Sequence, residues 1–160
     1  MNTRIALRTM LGVLFAAVFA TTASAQNVHL KPGSPTVTDL GEQLKVCVAL
    51  AGLGNKDVTI TVSATGTATV TGFNPGGNDA PGQNKFPVST VASTTVPSNQ
   101  IKNGTVTVCL TTPLLDAPDA TDAGFPNDNW VVVIDDVEFT QVTITVEQKG
   151  KTVLTKVVNL

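Results

Sequence analysis

Two cysteines inside alternating stretches constrain the fold of this chain more than any other feature. Cys47 lies in the stretch 44–50 and Cys109 in the stretch 105–110, and in both stretches apolar residues alternate with polar or smaller ones. Alternation with a period of two is the pattern of a β-strand that buries one face. An even number of cysteines in an exported protein usually forms closed bridges. The sequence therefore predicts a disulfide between Cys47 and Cys109 that joins two β-strands.

The evidence for export lies in residues 1–25. Basic residues precede an apolar run at 10–20, and small residues ending in Ala-Ser-Ala follow it at 23–25. This is the layout of a cleaved secretory signal peptide. The apolar run is shorter than the roughly 20 residues that a membrane-spanning helix needs, and no later stretch is longer. We expect a secreted or periplasmic protein with no membrane span, in which 26–160 form a single domain.

The remaining chain consists of short alternating segments separated by Gly, Pro and Asn. No segment has the apolar period of a helix, and Val and Thr, which favour strands, are abundant. This pattern predicts an all-β fold, a single antiparallel β-sandwich of roughly 7–9 strands with one disulfide. Long loops are expected at 74–85 and 112–129. The predicted strands, with breaks at Gly66 and at Asp135-Asp136, cover 44–50, 58–65, 67–73, 86–91, 93–96, 105–111, 130–134, 137–148 and 151–158.

One run near the start of this domain carries a family resemblance. The run Pro-Thr-Val-Thr-Asp-Leu-Gly-Glu-Gln-Leu-Lys-Val at 35–46 is similar to the first two strands of many secreted bacterial immunoglobulin-like modules. The resemblance implies an immunoglobulin-like β-sandwich, and the cysteine spacing is that of a bridge between strands B and F of such a fold. Antibody-type domains carry a Tyr two residues before the second cysteine, where this chain has Thr107. The resemblance therefore concerns architecture and transfers no binding residues.

The position of each cysteine within its strand leaves two arrangements of the bridge open. Both cysteines alternate with the large aliphatic residues of their strands, so they lie on the opposite face. A bridge on that face suits two adjacent strands of one sheet. It also suits a sandwich in which small residues surround a bridge between the two sheets.

The second loop contains candidate metal ligands. Asp119, Asp122 and Asp128 could supply oxygens to calcium, which accepts irregular oxygen sites. Their spacing matches no EF-hand loop, and the other interpretation is a solvated loop whose Asp residues form local turns. Zinc and copper sites usually rely on several imidazoles or thiolates, and His29 is the single histidine of the chain. We expect no cofactor.

Carboxylates also cluster at Asp135, Asp136 and Glu138. A pair of carboxylates can hydrolyse glycosides, but that chemistry takes place in a cleft. A turn between two strands explains Asp135 and Asp136 without any reaction. We therefore expect no catalytic residue and no enzyme activity.

Charge and loop composition indicate which classes of partner the protein could bind. The formal net charge is −2 and no run of basic residues occurs, which disfavours nucleic acid. The long loops supply the candidate contact residues Phe73, Asn78, Phe125 and Asn127. Phe73 and Phe125 could instead anchor these loops to the core. Threonines at alternate positions could form a flat ice-binding face, or simply the polar face of an exposed strand.

These features together predict a secreted or periplasmic, non-enzymatic β-sandwich protein that binds an unidentified protein or glycan surface. The alternative is a fimbrial or coat-like structural subunit that assembles through β-strand pairing. Such subunits typically lack a strand that a neighbour supplies, whereas this chain has a closing hairpin at 141–158. The oligomeric state of the protein separates these two hypotheses.

Overall fold

The computed structural model describes residues 27–82 and 84–160, so the predicted signal peptide lies outside the described residues. Within these ranges nine strands form two antiparallel sheets. The prediction of an all-β antiparallel sandwich with one disulfide is confirmed. The strands are β1 His29–Leu30, β2 Thr36–Asp39, β3 Leu44–Ala51, β4 Val58–Phe73, β5 Asp79–Pro81, β6 Phe86–Val96, β7 Val106–Thr111, β8 Val131–Gln148 and β9 Lys151–Asn159.

The smaller sheet is built around β3. Strand β7 pairs along one edge of β3, and β1 and β2 follow one another along the opposite edge. Because alternate residues of a strand face opposite sides, Leu44, Val46, Val48 and Leu50 all point into the sandwich and are fully buried. This sheet therefore contributes one short inner face whose β3 side chains are fully buried.

The larger sheet is built around two long strands, β4 and β8, which pair over their whole lengths. Strands β6 and β5 follow one another along the other edge of β4, and β9 pairs with the second half of β8. The predicted hairpin turn at Lys149-Gly150 joins β8 to β9, and both residues have positive φ. Residues 79–81, which the sequence places in a loop, form β5 instead.

Two bulges explain why the sequence predicts breaks where β4 and β8 are continuous. Thr65 pairs with Gln141 and Gly66 with Phe139, so one residue of β8 is left over. A second irregularity lies where β8 passes Asp135 and Asp136, which are both exposed. An extra residue shifts the alternation by one and places two polar residues in succession. The predicted turn at Asp135-Asp136 and the predicted strand end at Gly66 are therefore wrong.

The second long loop, 112–129, contributes buried side chains to the core. Backbone bonds run from the Phe125 N–H to the Ala120 carbonyl and from the Gly124 N–H to the Thr121 carbonyl. With Gly124 at φ +88°, this is the bonding pattern of a Schellman motif, whose two apolar ends pack together. Ala120 and Phe125 are accordingly buried. The Phe125 ring covers Gly72 of β4 and stacks on Trp130, with ring centroids 5.1 Å apart.

The disulfide joins neighbouring strands of the smaller sheet. Cys47 of β3 and Cys109 of β7 are direct register partners with their Cα atoms 3.9 Å apart, although they are 62 positions apart in the chain. Cys47 is half-buried and Cys109 is exposed, so the bridge lies on the outer face of this sheet. Of the two arrangements, the adjacent-strand bridge is therefore the one that forms. The bridge between sheets, which the B-to-F spacing suggested, does not.

Candidate binding site

Three large apolar side chains are exposed together on the outer face of the larger sheet. Phe73 of β4 is 39% exposed, and Val131 and Val133 of β8 are 64% and 45% exposed. Phe73 and Val131 are direct register partners, and Val133 lies two residues further along the same face. These three residues form a contiguous surface, which we term the apolar patch.

The apolar patch ends a row of hydroxyl side chains on β4, on a face that also exposes Val91 of β6 and Val157 of β9. Hydroxyl residues occupy the outer positions of β4 at 59, 61, 63, 65, 67, 69 and 71, and Phe73 then ends this series. Part of the series is bonded across strands, since the Thr59 and Thr95 hydroxyls lie 2.9 Å apart and those of Thr61 and Ser93 3.0 Å apart. The ice-binding interpretation of these threonines stays a prediction. The change from hydroxyl to apolar residues marks the end of the sheet as a distinct surface.

An open strand edge lies beside the apolar patch. Strand β9 pairs with β8 from Gln141 onward, and the Leu160 N–H donates to the Thr140 carbonyl. Among the described residues, 131–139 of β8 have β4 on one side and no strand partner on the other. Unpaired backbone N–H and C=O groups on such an edge can accept another strand. The patch and the edge therefore meet along the first three residues of β8.

The predicted carboxylate cluster lies within this edge segment of β8. Asp135 accepts a hydrogen bond from the Thr71 hydroxyl at 2.8 Å, and Glu138 pairs with Lys85 at 3.1 Å with both side chains about two-thirds exposed. A cavity of about 230 Å³ is lined by Asp135, but neither Asp136 nor Glu138 lines it. Carboxylate hydrolysis of glycosides needs two carboxyl groups that flank one bond. Of the three carboxylates only Asp135 lines this cavity, and the absence of enzyme activity stays a prediction.

The four predicted contact residues separate into two groups. Phe73 belongs to the apolar patch, and Asn78 lies nearby, immediately before the register partner of Phe73. Phe125 is 7% exposed, so its prediction as a surface contact is wrong and the anchoring alternative is right. Asn127 is exposed, and its side-chain oxygen accepts a bond from the Asn129 N–H within a local turn.

The three predicted calcium ligands are not gathered into one group of carboxylates, and calcium binding through backbone carbonyls stays a prediction. Within residues 27–82 and 84–160, no group of three or more His, Cys, Asp or Glu side chains is placed to hold a metal ion. Asp128 instead accepts a bond from the Thr121 hydroxyl at 3.2 Å, and the Asp119 carbonyl accepts the Ala123 N–H. Asp119, Asp122 and Asp128 are thus exposed members of the loop that carries the Schellman motif.

Sequence reasoning missed Val131 and Val133, which belong to the uninterrupted apolar run 131–134. Such a run is typical of a strand that is buried on both faces. The polar doublet Asp135-Asp136 is the signal that could have assigned the faces. If it is a bulge, then Val137, Ile134 and Val132 share the inner face, and Val131 and Val133 must face outward.

Comparison with models of protein families and with curated proteins found no match. In the part of the chain that the structure describes, no helix has the length and apolar character needed to cross a bilayer.

Proposed function

We propose that this chain is an exported, non-enzymatic β-sandwich module that binds a partner protein through the apolar patch and the adjacent open edge of β8. The observation that carries the proposal is their juxtaposition: Phe73, Val131 and Val133 lie beside residues 131–139 of β8, which no described strand pairs on the side away from β4. An extended segment of a partner can add a strand to such an edge while its alternate side chains cover the patch. The exposed disulfide and the signal-like layout of residues 1–25 support an oxidising, extracytoplasmic location.

The exposure of these side chains supports a binding role for energetic reasons. Fully burying one Val or Phe side chain contributes about 1.5–3 kcal/mol. Scattered exposed apolar residues are ordinary, but contiguous ones commonly mark interaction surfaces. A protein is favoured over a glycan as partner because the patch holds one aromatic ring beside aliphatic side chains, whereas sugars are recognised mainly by several polar groups and flat rings.

Self-assembly through the same edge is the second candidate function. The open edge favours it, because a strand of a second copy could pair there. Antiparallel pairing of two copies of β8 would, however, bring the carboxylates of Asp135, Asp136 and Glu138 close to their counterparts, and like charges on facing strands destabilise pairing. A bulge further disrupts the edge at this point. These features favour a different molecule as the partner.

Photo-crosslinking tests the proposal. A photoreactive amino acid is placed at Val133, and at Leu40 in a matched control, because Leu40 is 52% exposed and lies in neither the patch nor β8. Each protein is irradiated with the extracellular and envelope fractions of its source cells. We expect a discrete adduct from position 133 that excess unlabelled protein suppresses and that excess V131E/V133E protein does not. The same adducts from positions 133 and 40 would refute the assignment.

Sedimentation velocity of the purified protein over a wide range of concentrations separates the two functions. A monomer at every concentration excludes strand-paired assembly, whereas a concentration-dependent series of oligomers that V131E/V133E abolishes would support it.

A further inference from the structure

Carboxylates flank the apolar patch on the outer face of the larger sheet. Asp79 of β5 is exposed and is the register partner of Phe73. Asp135 and Asp136, both exposed, follow the patch along β8. The first bonds to an outer hydroxyl of β4, and the second is the register partner of Thr69, another outer residue. The patch and these three carboxylates therefore share one face.

The negative charge around the patch is largely uncompensated. Glu138 pairs with Lys85 at 3.1 Å, and this is the single ion pair found within residues 27–82 and 84–160. Asp79, Asp135 and Asp136 thus have no ion-pair partner in the part of the chain that the structure describes. A surface that joins apolar side chains to such charges attracts a cationic partner and repels an anionic one.

The backbone of β4 indicates where a partner strand would pair with β8. The Val70 carbonyl accepts the Gly82 N–H at 2.7 Å, on the side of β4 where β5 lies. Residues directly opposite in an antiparallel pair exchange either both backbone bonds or none, so Val70 and its register partner Ile134 exchange none. The N–H and C=O groups of Ile134 therefore point away from β4, and those of Val132 do as well. No described strand pairs with β8 there.

The direction of pairing determines the order in which an added strand meets the patch and the charges. Antiparallel pairing is slightly more stable per residue than parallel pairing. An antiparallel strand, followed from its own N-terminus, would pass Glu138 and Asp136 first and then Val133 and Val131. Its alternate side chains would lie beside these residues on the outer face.

We infer that the partner segment is extended and basic. Its Lys or Arg side chains lie opposite Asp136 and Glu138, and two apolar residues at alternate positions follow them, opposite Val133 and Val131. This partner class rests on the proposed function, because it specifies the chemistry of the segment that the patch and the edge bind. The same carboxylates disfavour acidic segments and nucleic acid, so that they select among partners as well as attract one.

Three synthetic peptides with blocked ends test this partner class. The first, Lys-Thr-Lys-Thr-Val-Thr-Val, has the inferred order; the second has Glu in place of both Lys; and the third has Ser in place of both Val. Each is titrated into the isotopically labelled protein and followed by amide chemical shifts. We expect saturable shifts at 131–139 with the first peptide. It should bind about tenfold more tightly than the second at low ionic strength, and this ratio should fall in high salt. The third should bind more weakly than the first.

Two variants of the protein assign the preference to the carboxylates. D135N/D136N removes two charges beside the patch and keeps the shapes of the side chains, so most of the preference for the Lys peptide should disappear. The matched control D57N/E147Q removes two carboxylates at the other end of the same sheet, where Asp57 precedes β4 and Glu147 pairs with Thr59. This control should retain the preference.

The outcomes separate the partner class from the proposed function. Equal affinities for the Lys and Glu peptides, with shifts at 131–139, would overturn the basic partner but support the edge as a binding surface. A preference that D57N/E147Q reduces as much as D135N/D136N does would overturn the role of these carboxylates. Absence of saturable shifts at 131–139 with every peptide at millimolar concentration would overturn the inference, and crosslinking from position 133 then decides independently whether the surface binds a partner.

Discussion

At the scale of single residues, the two cysteines show how local alternation carries structural information. Each lies opposite to the buried aliphatic residues of its own strand, and both are consequently on the outer face of the smaller sheet. The bridge fills no space in the core. Its contribution to stability must therefore come mainly from restricting the unfolded chain rather than from packing.

Removing the bridge tests this account. The double substitution C47A/C109A should lower the free energy of unfolding by up to about 4 kcal/mol, the value of the chain-entropy relation for a loop of this size. The far-UV circular dichroism should not change, because the ladder between Lys45–Thr111 and Leu50–Val106 holds the two strands together. Urea titration measures the difference, with T107A on the same face as control. Equal stability of the double variant and T107A would contradict the prediction.

At the scale of elements, the bulges decide which face of β8 each side chain occupies. Thr69 pairs with Asp136 and Val70 with Ile134, so Asp135 is the residue without a register partner. At the other bulge a β-carbon on Gly66 would lie 2.4 Å from the Glu138 carbonyl oxygen. Glycine is therefore required where β4 approaches the irregular part of β8.

Deletion of single residues should reveal the bulge directly. Removal of Asp135 leaves the pairs Thr69–Asp136 and Val70–Ile134 unchanged, so this variant should fold with every other side chain on its original face. Removal of Glu138 moves residues 131–137 by one position and turns Asp136 toward the core, where an unpaired carboxylate is strongly destabilising. Solubility and circular dichroism of the two deletion variants provide the comparison. Equal loss of structure in both would show that Asp135 is not a bulge residue.

At the scale of the whole molecule, one core is closed by both sheets and by the loop 112–129. Ala120, Ala123 and Phe125 belong to the same buried cluster as the strands. A β-carbon at Gly72 would clash with the Phe125 ring, so position 72 accommodates only glycine while Phe125 occupies its place. We expect the loop and the sheets to unfold together rather than in separate steps.

Two phenylalanines provide a matched test of this cooperativity. F125A should lower the free energy of unfolding by about 3–5 kcal/mol, the usual cost of removing a buried aromatic ring. F73A should lower it by clearly less than F125A does, because Phe73 keeps 39% of its surface exposed in the folded protein. Trp130 stacks on Phe125, and its fluorescence should change in the same transition as the circular dichroism of the sheets. A fluorescence transition that precedes the loss of sheet structure would contradict a single core.

Local patterns in the chain were sufficient to predict the all-β class and most strand positions, because alternation with a period of two is a property of neighbouring residues. The pairing of Cys47 with Cys109 followed from composition, because the chain has only two cysteines. They were insufficient for the joining of 58–65 to 67–73 and for the burial of Phe125. Those depend on which residues approach from distant parts of the chain. The apolar patch depends on such contacts as well. Val131 and Val133 face outward because of the bulge in β8 opposite β4. They lie beside an open edge because, among the described strands, β9 pairs only with the second half of β8.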